Sequence, residues 1–248
     1  MNKITGTIIT LNAEKYILRA IESLKNISDE IIVLDSKSTD STRDIAKSAG
    51  AKVYTQEFLG DGPQKKEASN FATNRWIFSL DADEYLDKDL INFIKKIDLS
   101  NIRYDSFSFR RKNYCSDEWI KAAGFYPDYV TRLYDKNRVN YDARADHATV
   151  NSKNTLKTSC HIVHTTYESM DEWVDKMNFR SSMSARQLYK DGVMPSDVRP
   201  ITRALFAFFK KLFIKGGILQ GKTGFKVAVT TMFNTYLKYT KLNDLHKK

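Results

Sequence analysis

The chain has 248 residues, 42% of them hydrophobic, and a formal net charge of +10. That length allows a substantial core, either one large α/β domain or a catalytic domain with an appendage. Two cysteines, Cys115 and Cys160, exclude a disulfide framework, and no window of eighteen apolar residues exists to predict a spanning helix; the polar start Met1-Asn2-Lys3 predicts no signal peptide. The charge is uneven: up to Val198 there are 29 basic and 29 acidic residues, and from Arg199 onward 11 basic and one acidic, Asp244. A neutral body with a basic tail suits an anionic partner surface, and a phospholipid layer and nucleic acid fit equally on charge alone.

In chain order, Ile4 to Leu11 has the β-branched enrichment of a first strand, and Ala13 to Leu24 has Ile17, Leu18, Ile21 and Leu24 at helical spacing. Glu30 to Leu34 predicts a second strand that opens into Asp35. Ser38-Thr39-Asp40 then supplies cap residues before a helix through Arg43 to Ser48, closed by Gly50. Ala51 to Tyr54 predicts a third strand, Gly60-Asp61-Gly62-Pro63 a turn, Gln64 to Ala72 a helix, and the apolar run Trp76 to Leu80 a fourth strand opening into Asp81-Ala82-Asp83-Glu84. Strands alternating with helices predict a mainly parallel, Rossmann-like sheet with its ligand at the carboxyl ends of the strands.

Beyond Leu86 to Ile97, a predicted helix, the alternation slackens. Strand-like Ser106 to Phe109 and Tyr129 to Tyr134, and the stretch Cys160-His161-Ile162-Val163-His164, predict a mixed or antiparallel extension completing the site. Ser169 to Leu188 reads as helix and Gly192 to Pro200 as linker. From Arg199 to Leu242 phenylalanines and aliphatic residues interleave with lysines. Such a segment can lie in a membrane interface; packing on the sheet, oligomer contact and nucleic acid are the alternatives.

Asp81 and Asp83, two apart beyond a buried strand, can divide the work of holding ligand hydroxyls and a divalent cation, since hard cations take oxygen ligands and bridge phosphates. The competing reading is a helix cap built from Asp83, Glu84 and Asp87. Asp35 can accept from a nucleobase or sugar, or serve as a turn acid. Lys65 and Lys66 can face a diphosphate or be solvated. No GxxxxGK[ST] loop and no GxGxxG fingerprint is present, so a phosphate would be held another way.

Taken in order, Thr10-Leu11-Asn12-Ala13-Glu14, Glu30 through Asp40, Gly62-Pro63-Gln64-Lys65-Lys66, Leu80-Asp81-Ala82-Asp83-Glu84, Gly124-Phe125-Tyr126-Pro127-Asp128 and Arg132-Leu133-Tyr134 resemble a family 2 inverting glycosyltransferase of GT-A fold. The resemblance is to the branch that builds the lipopolysaccharide or lipooligosaccharide core. It implies a catalytic domain over 1–198, with a nucleotide-sugar half to about residue 100 and an acceptor half beyond it, and a basic helical tail over 199–248. It implies inverting transfer of a hexose, with glucose from UDP-glucose the expected donor, to an inner-core heptose. The enzyme would be cytoplasmic, peripheral on the anionic inner face of the bacterial inner membrane, and would need Mg²⁺ or Mn²⁺.

By the same resemblance Asp35 would contact uracil, Asp81 the ribose region and Asp83 the metal, with Asn12 and Glu14 bordering the nucleotide, Lys65 on the donor phosphates and His164 approaching the metal. Inversion needs a general base on the acceptor side. Asp146 is the expected base, with His147 as competitor and Asp128 as the weaker alternative; Asp146 can instead only orient His147 or pair with Arg144. Arg132 would hold an anionic acceptor or the donor phosphates, or pair at the surface. Trp119 and Tyr126 would stack on a sugar or pack a turn. Two rival classes remain. One is an inactive nucleotide-sugar-binding module. The other is a basic nucleic-acid-binding protein, which leaves the acidic strand ends unused, so no nucleic acid is the expected partner.

Overall fold

The computed structural model describes residues 2–144 and 148–247. In chain order the elements are β1 (Ile4–Thr10), α1 (Ile17–Leu24), β2 (Glu30–Asp35), α2 (Thr42–Ser48), β3 (Lys52–Thr55), α3 (Asp61–Asn70), β4 (Trp76–Asp81), β5 (Glu84–Leu86) and α4 (Lys88–Lys96). They continue with β6 (Ser106–Cys115), β7 (Glu118–Trp119), β8 (Tyr129–Asp135), β9 (Thr155–Tyr167), α5 (Met170–Lys190), α6 (Arg199–Phe209) and α7 (Gly221–Leu245). The chain divides into two compact units, the first Met1–Arg111 with Asp128–His164, the second Lys112–Pro127 with Thr165–Lys248.

The first unit is α/β, its strands ordered β3-β2-β1-β4-β8-β6-β9-β5. β1 pairs in parallel with β2 and β4, and β2 with β3. The expected mixed extension is present, β8 being antiparallel to both β4 and β6 and β5 to β9, but it belongs to the same sheet, so the sheet as a whole is mixed and not mainly parallel. Chain length is the reason. Only Ala82 and Asp83 separate β4 from β5, too few residues for the crossover that a parallel neighbour requires. β5 therefore pairs with β9 instead.

The central parallel strands are buried on both sides, as parallel sheets require. Ile31 and Val33 join one core with Ile4, Ile8, Phe78 and Leu80, while Ile32 and Ile77 join a second with Tyr134 and Tyr141. α1 buries Ile17, Ala20, Ile21 and Leu24 on a single stripe, and Leu18, expected on that face, is exposed. The sheet register sets Thr10 beside Asp35 and Ile9 beside Asp81, so both acids leave the sheet at one edge. At the amino edge of the same strands lies an open cleft of about 1070 Å³, lined by residues such as Asn2, Lys25, Arg75 and Lys95; none of the expected site residues lines it.

Two boundaries differ from expectation. Gly60-Asp61-Gly62-Pro63 is not a free turn, because α3 begins at Asp61 with Gly60 at its cap in a positive-φ conformation. Leu86, expected to open the next helix, instead ends strand β5 (Glu84–Leu86), and α4 begins at Lys88. Asp87 alone caps α4, accepting from the Lys88 N–H, while Glu84 accepts from the Asp81 N–H.

In the second unit β7 pairs with Tyr114 and Cys115 at the end of β6, and α7 packs along α5 and α6. α6 runs into a π-helical turn, Lys210–Ile214, followed by a 3₁₀ turn, Gly217–Gln220. Among the described residues no helix is long and apolar enough to cross a membrane.

Candidate active site

The loops after β1 and β2 clasp one another. Asn12, at φ 49°, donates its N–H to Ser38 Oγ at 2.8 Å and accepts the Thr39 N–H on Oδ1 at 2.8 Å. The Glu14 carboxylate accepts the Ser41 N–H at 3.1 Å, while its own N–H donates to Asp40. Asp35 is fully buried and accepts from the Ser38 N–H at 2.9 Å and from the Ser38 hydroxyl. The side chains expected around the nucleotide thus brace these two loops, with Asp35 serving its own turn and Arg43 3.8 Å away.

α3 has no apolar stripe, yet it packs against β1 and β2 and buries Gln64 and Lys65. Gln64 donates to Ser36 Oγ and accepts from Gln56 and the Leu59 N–H, tying α3 to the loop after β2. Lys65 is not solvated: its Nζ lies 2.8 Å from Asp61 and 2.9 Å from Asp81, over the Tyr141 ring. Burial pulls its pKa down, but the Asp81 charge outweighs this and the ammonium is held above its usual range.

Asp81 is the hub. Its second oxygen takes Arg132 at 2.5 Å, and Arg132 also reaches Glu84 at 2.7 Å. Burial raises the Asp81 carboxyl, and Arg132 followed by Lys65 overcomes this, holding it well below the carboxylate range. Arg132 and Glu84 are themselves buried, so the surface pairing considered for Arg132 does not apply. Arg111 extends the network, with NH1 3.2 Å from Glu84 and NH2 2.8 Å from Asp128. Buried charges in such a network are tolerable because each finds an opposite charge.

Asp83, just past Asp81, faces His164 across the β5–β9 pair, Oδ2 to Nε2 3.4 Å. At the other end of β5, Asp87, Asp89 and His161 form a second group whose ligating atoms all lie within 4.8 Å of one another. His161 Nδ1 is 2.8 Å from Asp89. This Asp/Asp/His cluster is a candidate divalent-cation site, and its ligand types suit a hard or borderline cation. The two histidines therefore serve opposite ends of one short strand, because the β9 register sets His164 beside Glu84 and His161 beside Asp87.

The expected bases Asp146 and His147 lie outside the described residues, whereas the residues on either side, Arg144 and Ala148, are described. The Gly62 N–H donates to the Arg144 carbonyl at 2.9 Å, and the Ala148 N–H to Asp61 at 3.0 Å. Asp142 braces the near flank by accepting from Arg144 at 2.6 Å and from Thr149. Trp119 and Tyr126 belong to the second unit, where they meet edge to face at 5.2 Å, with Lys112 and Lys121 over the indole.

Of the expected residues, the first unit brings Lys65, Asp81 and Arg132 into direct contact, sets Asp83 on His164 and joins Asp128 to the network through Arg111. Asn12, Glu14 and Asp35 gather in the neighbouring clasp. Asp61, Glu84, Arg111 and Tyr141 had no assigned role. Asp61 and Glu84 stood inside quoted motifs, whereas Arg111 and Tyr141 carry no local signal; pairing of β6 with β8 and the return from β8 bring them in.

Residues 7–160 match the model of glycosyl transferase family 2. An uncharacterized glycosyltransferase of Rickettsia bellii is 35% identical, over 98% of this chain and 87% of the relative. The lipopolysaccharide core biosynthesis glycosyltransferase LpsC of Rhizobium meliloti is 27% identical, over 98% and 93%. The solved structure of S. aureus TarS 1–349 aligns with 99% of this chain and 90% of its own at a TM-score of 0.51 and 14% identity, a likeness of fold.

Proposed function

Because the chain belongs to glycosyl transferase family 2, we propose that it transfers a hexose, glucose from UDP-glucose, with inversion, onto an inner-core heptose of lipopolysaccharide or lipooligosaccharide. The core acceptor is supported by similarity to LpsC over nearly the whole chain. Residues 1–198 form the catalytic part in this reading, and 199–248 hold it to the cytoplasmic, anionic face of the inner membrane.

One chain of contacts carries the proposal. Asp81 binds Lys65, Lys65 binds Asp61, and the other Asp61 oxygen holds the Ala148 N–H, directly after the loop of Asp146 and His147. In this reading one carboxylate, Asp61, ties the donor acid's partner Lys65 to Ala148, the residue that follows the expected base in sequence. Asp35 receives uracil and Asp81 the ribose. Lys65 and Arg132 present positive charge to the diphosphate, and the buried Arg132 Nε, without a hydrogen-bond partner among the described residues, is a donor in reserve. Asn12 and Glu14 fix the wall of the pocket. Asp83 and His164 would hold Mg²⁺ or Mn²⁺, their convergence fitting such an ion; when bound, it stabilises charge on the departing diphosphate. Asp146, or His147 in its stead, takes the proton from the acceptor hydroxyl. Asp128, tied to Arg111, stays the weaker alternative. Trp119 and Tyr126 stack on acceptor sugars.

The test is a donor and acceptor array with Mg²⁺ or Mn²⁺, reading nucleotide release, product mass and linkage. Asp83→Ala is expected to abolish turnover while remaining folded; full metal-dependent activity in that variant refutes the ligand assignment. Asp89→Asn is expected to keep metal-dependent turnover, and its loss there with Asp83→Ala active would move the metal to the Asp87, Asp89 and His161 cluster. UDP binding without transfer to any acceptor would favour an inactive binding module.

A further inference from the structure

The second unit exposes a corner that its own packing does not explain. Phe208 meets Phe209 and Phe225 edge to face at 5.6 and 5.8 Å, and Phe209 stacks on Phe213 at 5.9 Å, so four rings form one continuous cluster. Three of the four remain about half exposed, and beside them Ile214 is 70% and Leu219 89% exposed. Soluble proteins rarely leave a contiguous apolar surface of this kind without a partner.

The corner is built rather than frayed. A Cβ on Gly224 would fall 1.7 Å from the Gly217 carbonyl oxygen, and one on Gly217 would fall 2.7 Å from that of Lys211. These two glycines let α7, the 3₁₀ turn and the π-helical turn meet backbone to backbone. Gly216 and Gly221 bracket the 3₁₀ turn at positive φ. The result holds Ile218 and Leu219 outward on a fixed turn.

The charge around the corner is predominantly positive, the Glu118 carboxylate, which accepts from the Thr223 hydroxyl next to Lys222, being the acid in contact with it. Lys210, Lys215 and Lys222 make no ion pair among the described residues, and Asp244, the lone acid from Arg199 onward, is spent on Lys247. Lys211 donates to the Ala123 carbonyl; its pKa is pushed down by burial and then by Lys210 and Lys215, so the cations already repel one another.

We propose that this corner, Phe209, Phe213, Ile214 and Leu219 ringed by Lys210, Lys215 and Lys222, inserts shallowly into an anionic phospholipid surface. The proposal deepens the membrane element of the functional reading but does not need the transferase reaction to be correct. Aliphatic and aromatic tips would enter the acyl boundary while the lysines meet headgroup phosphates. A second copy of the chain is a poorer occupant, because a two-fold contact sets this patch on itself and opposes more lysines than acids, Glu118 being already engaged by Thr223. Nucleic acid is poorer too: the most exposed side chains are aliphatic, and the rings are turned onto one another instead of offering faces to bases.

The experiment is flotation of the full chain with vesicles of phosphatidylcholine alone or mixed with phosphatidylglycerol, circular dichroism confirming that each variant is folded. The parent is expected to float with the anionic vesicles only. Ile214→Glu with Leu219→Glu should lower partition at least about tenfold. Lys210→Gln, Lys215→Gln and Lys222→Gln together should lower it about a hundredfold, at about fivefold for each lysine. UDP binding, followed separately, should be unchanged in both. Unchanged flotation in either variant overturns the assignment. So does a parent dimer that Leu219→Glu dissociates, or retention of RNA without flotation.

Discussion

Gly62→Ala sets two effects of opposite sign against each other. In an ordinary helix the change would stabilise by about 0.5–1 kcal/mol through backbone entropy and propensity. Here the new Cβ would lie 2.0 Å from the Asp142 carbonyl oxygen and 2.9 Å from both Arg144 O and the Ala148 Cβ. An ordinary carbon–oxygen contact is well over 1 Å longer, and the obstacle is backbone, so the 142–148 loop must move away from α3. That displacement breaks the Gly62 to Arg144 hydrogen bond, worth about 1 kcal/mol, and strains the Ala148 to Asp61 bond, worth about 1.5–3 kcal/mol as a bond to a charged group. The losses exceed the gain, and net destabilisation of about 1–3 kcal/mol is expected in urea unfolding. Turnover should suffer more if the proposed base follows Arg144 in the chain, because a shift of about 1 Å in a catalytic group costs on the order of a hundredfold. UDP affinity should hold. A Gly62→Ala protein as stable and as active as the parent would refute both the loop contact and the placement of the base beside it.

Arg132→Met leaves Asp81 and Glu84 without their shared cation and should cost about 3–5 kcal/mol, read as a lowered denaturation midpoint; a loss below 1 kcal/mol would mean that Arg111 and Lys65 suffice. Burial raises the Glu30 carboxyl, but Lys52 and donors from Thr73 and Thr5 hold it at about 2 instead of 4.5. A depressed folded pKa contributes stability that is complete above 4.5 and disappears as pH falls towards 2. The stability gap between the parent and Glu30→Gln should therefore be largest near neutrality and close across that window, and a gap independent of pH would contradict the assignment. Gly224→Ala should part α7 from the 3₁₀ turn and reduce thermal stability while sparing UDP binding; an unchanged melting temperature would deny the backbone contact.

The parallel half of the sheet was legible because Ile4 to Leu11 is rich in β-branched residues and Ile31 to Leu34 and Trp76 to Leu80 are mostly apolar, as burial on both faces demands. β5 was not, because three residues show no period and Asp87 resembled a helix start continuous with Glu84. α3 was misplaced at its start, since Gly62 and Pro63 read as breakers; Gly62 is instead required by the loop laid across it. For the site, Asp81, Lys65 and Arg132 stood out by position or motif, whereas Arg111, which extends the network to Glu84 and Asp128, carries no local signal. Asp35 and Asn12, expected as ligand contacts, carry a further role that no motif announced, since they hydrogen-bond to the Ser38-Thr39 turn.

That clasp between the first two loops bears on the thermodynamics of nucleotide binding. Ser38, Thr39 and Ser41 are fixed by Asn12, Asp35 and Glu14 from across the strand edge, so the wall that would meet the base is rigid before any ligand arrives. A preformed wall forgoes the ordering penalty that a mobile loop would impose on association. Calorimetry of UDP binding should then show a modest entropic loss, and Asn12→Ala should weaken affinity chiefly through a larger one.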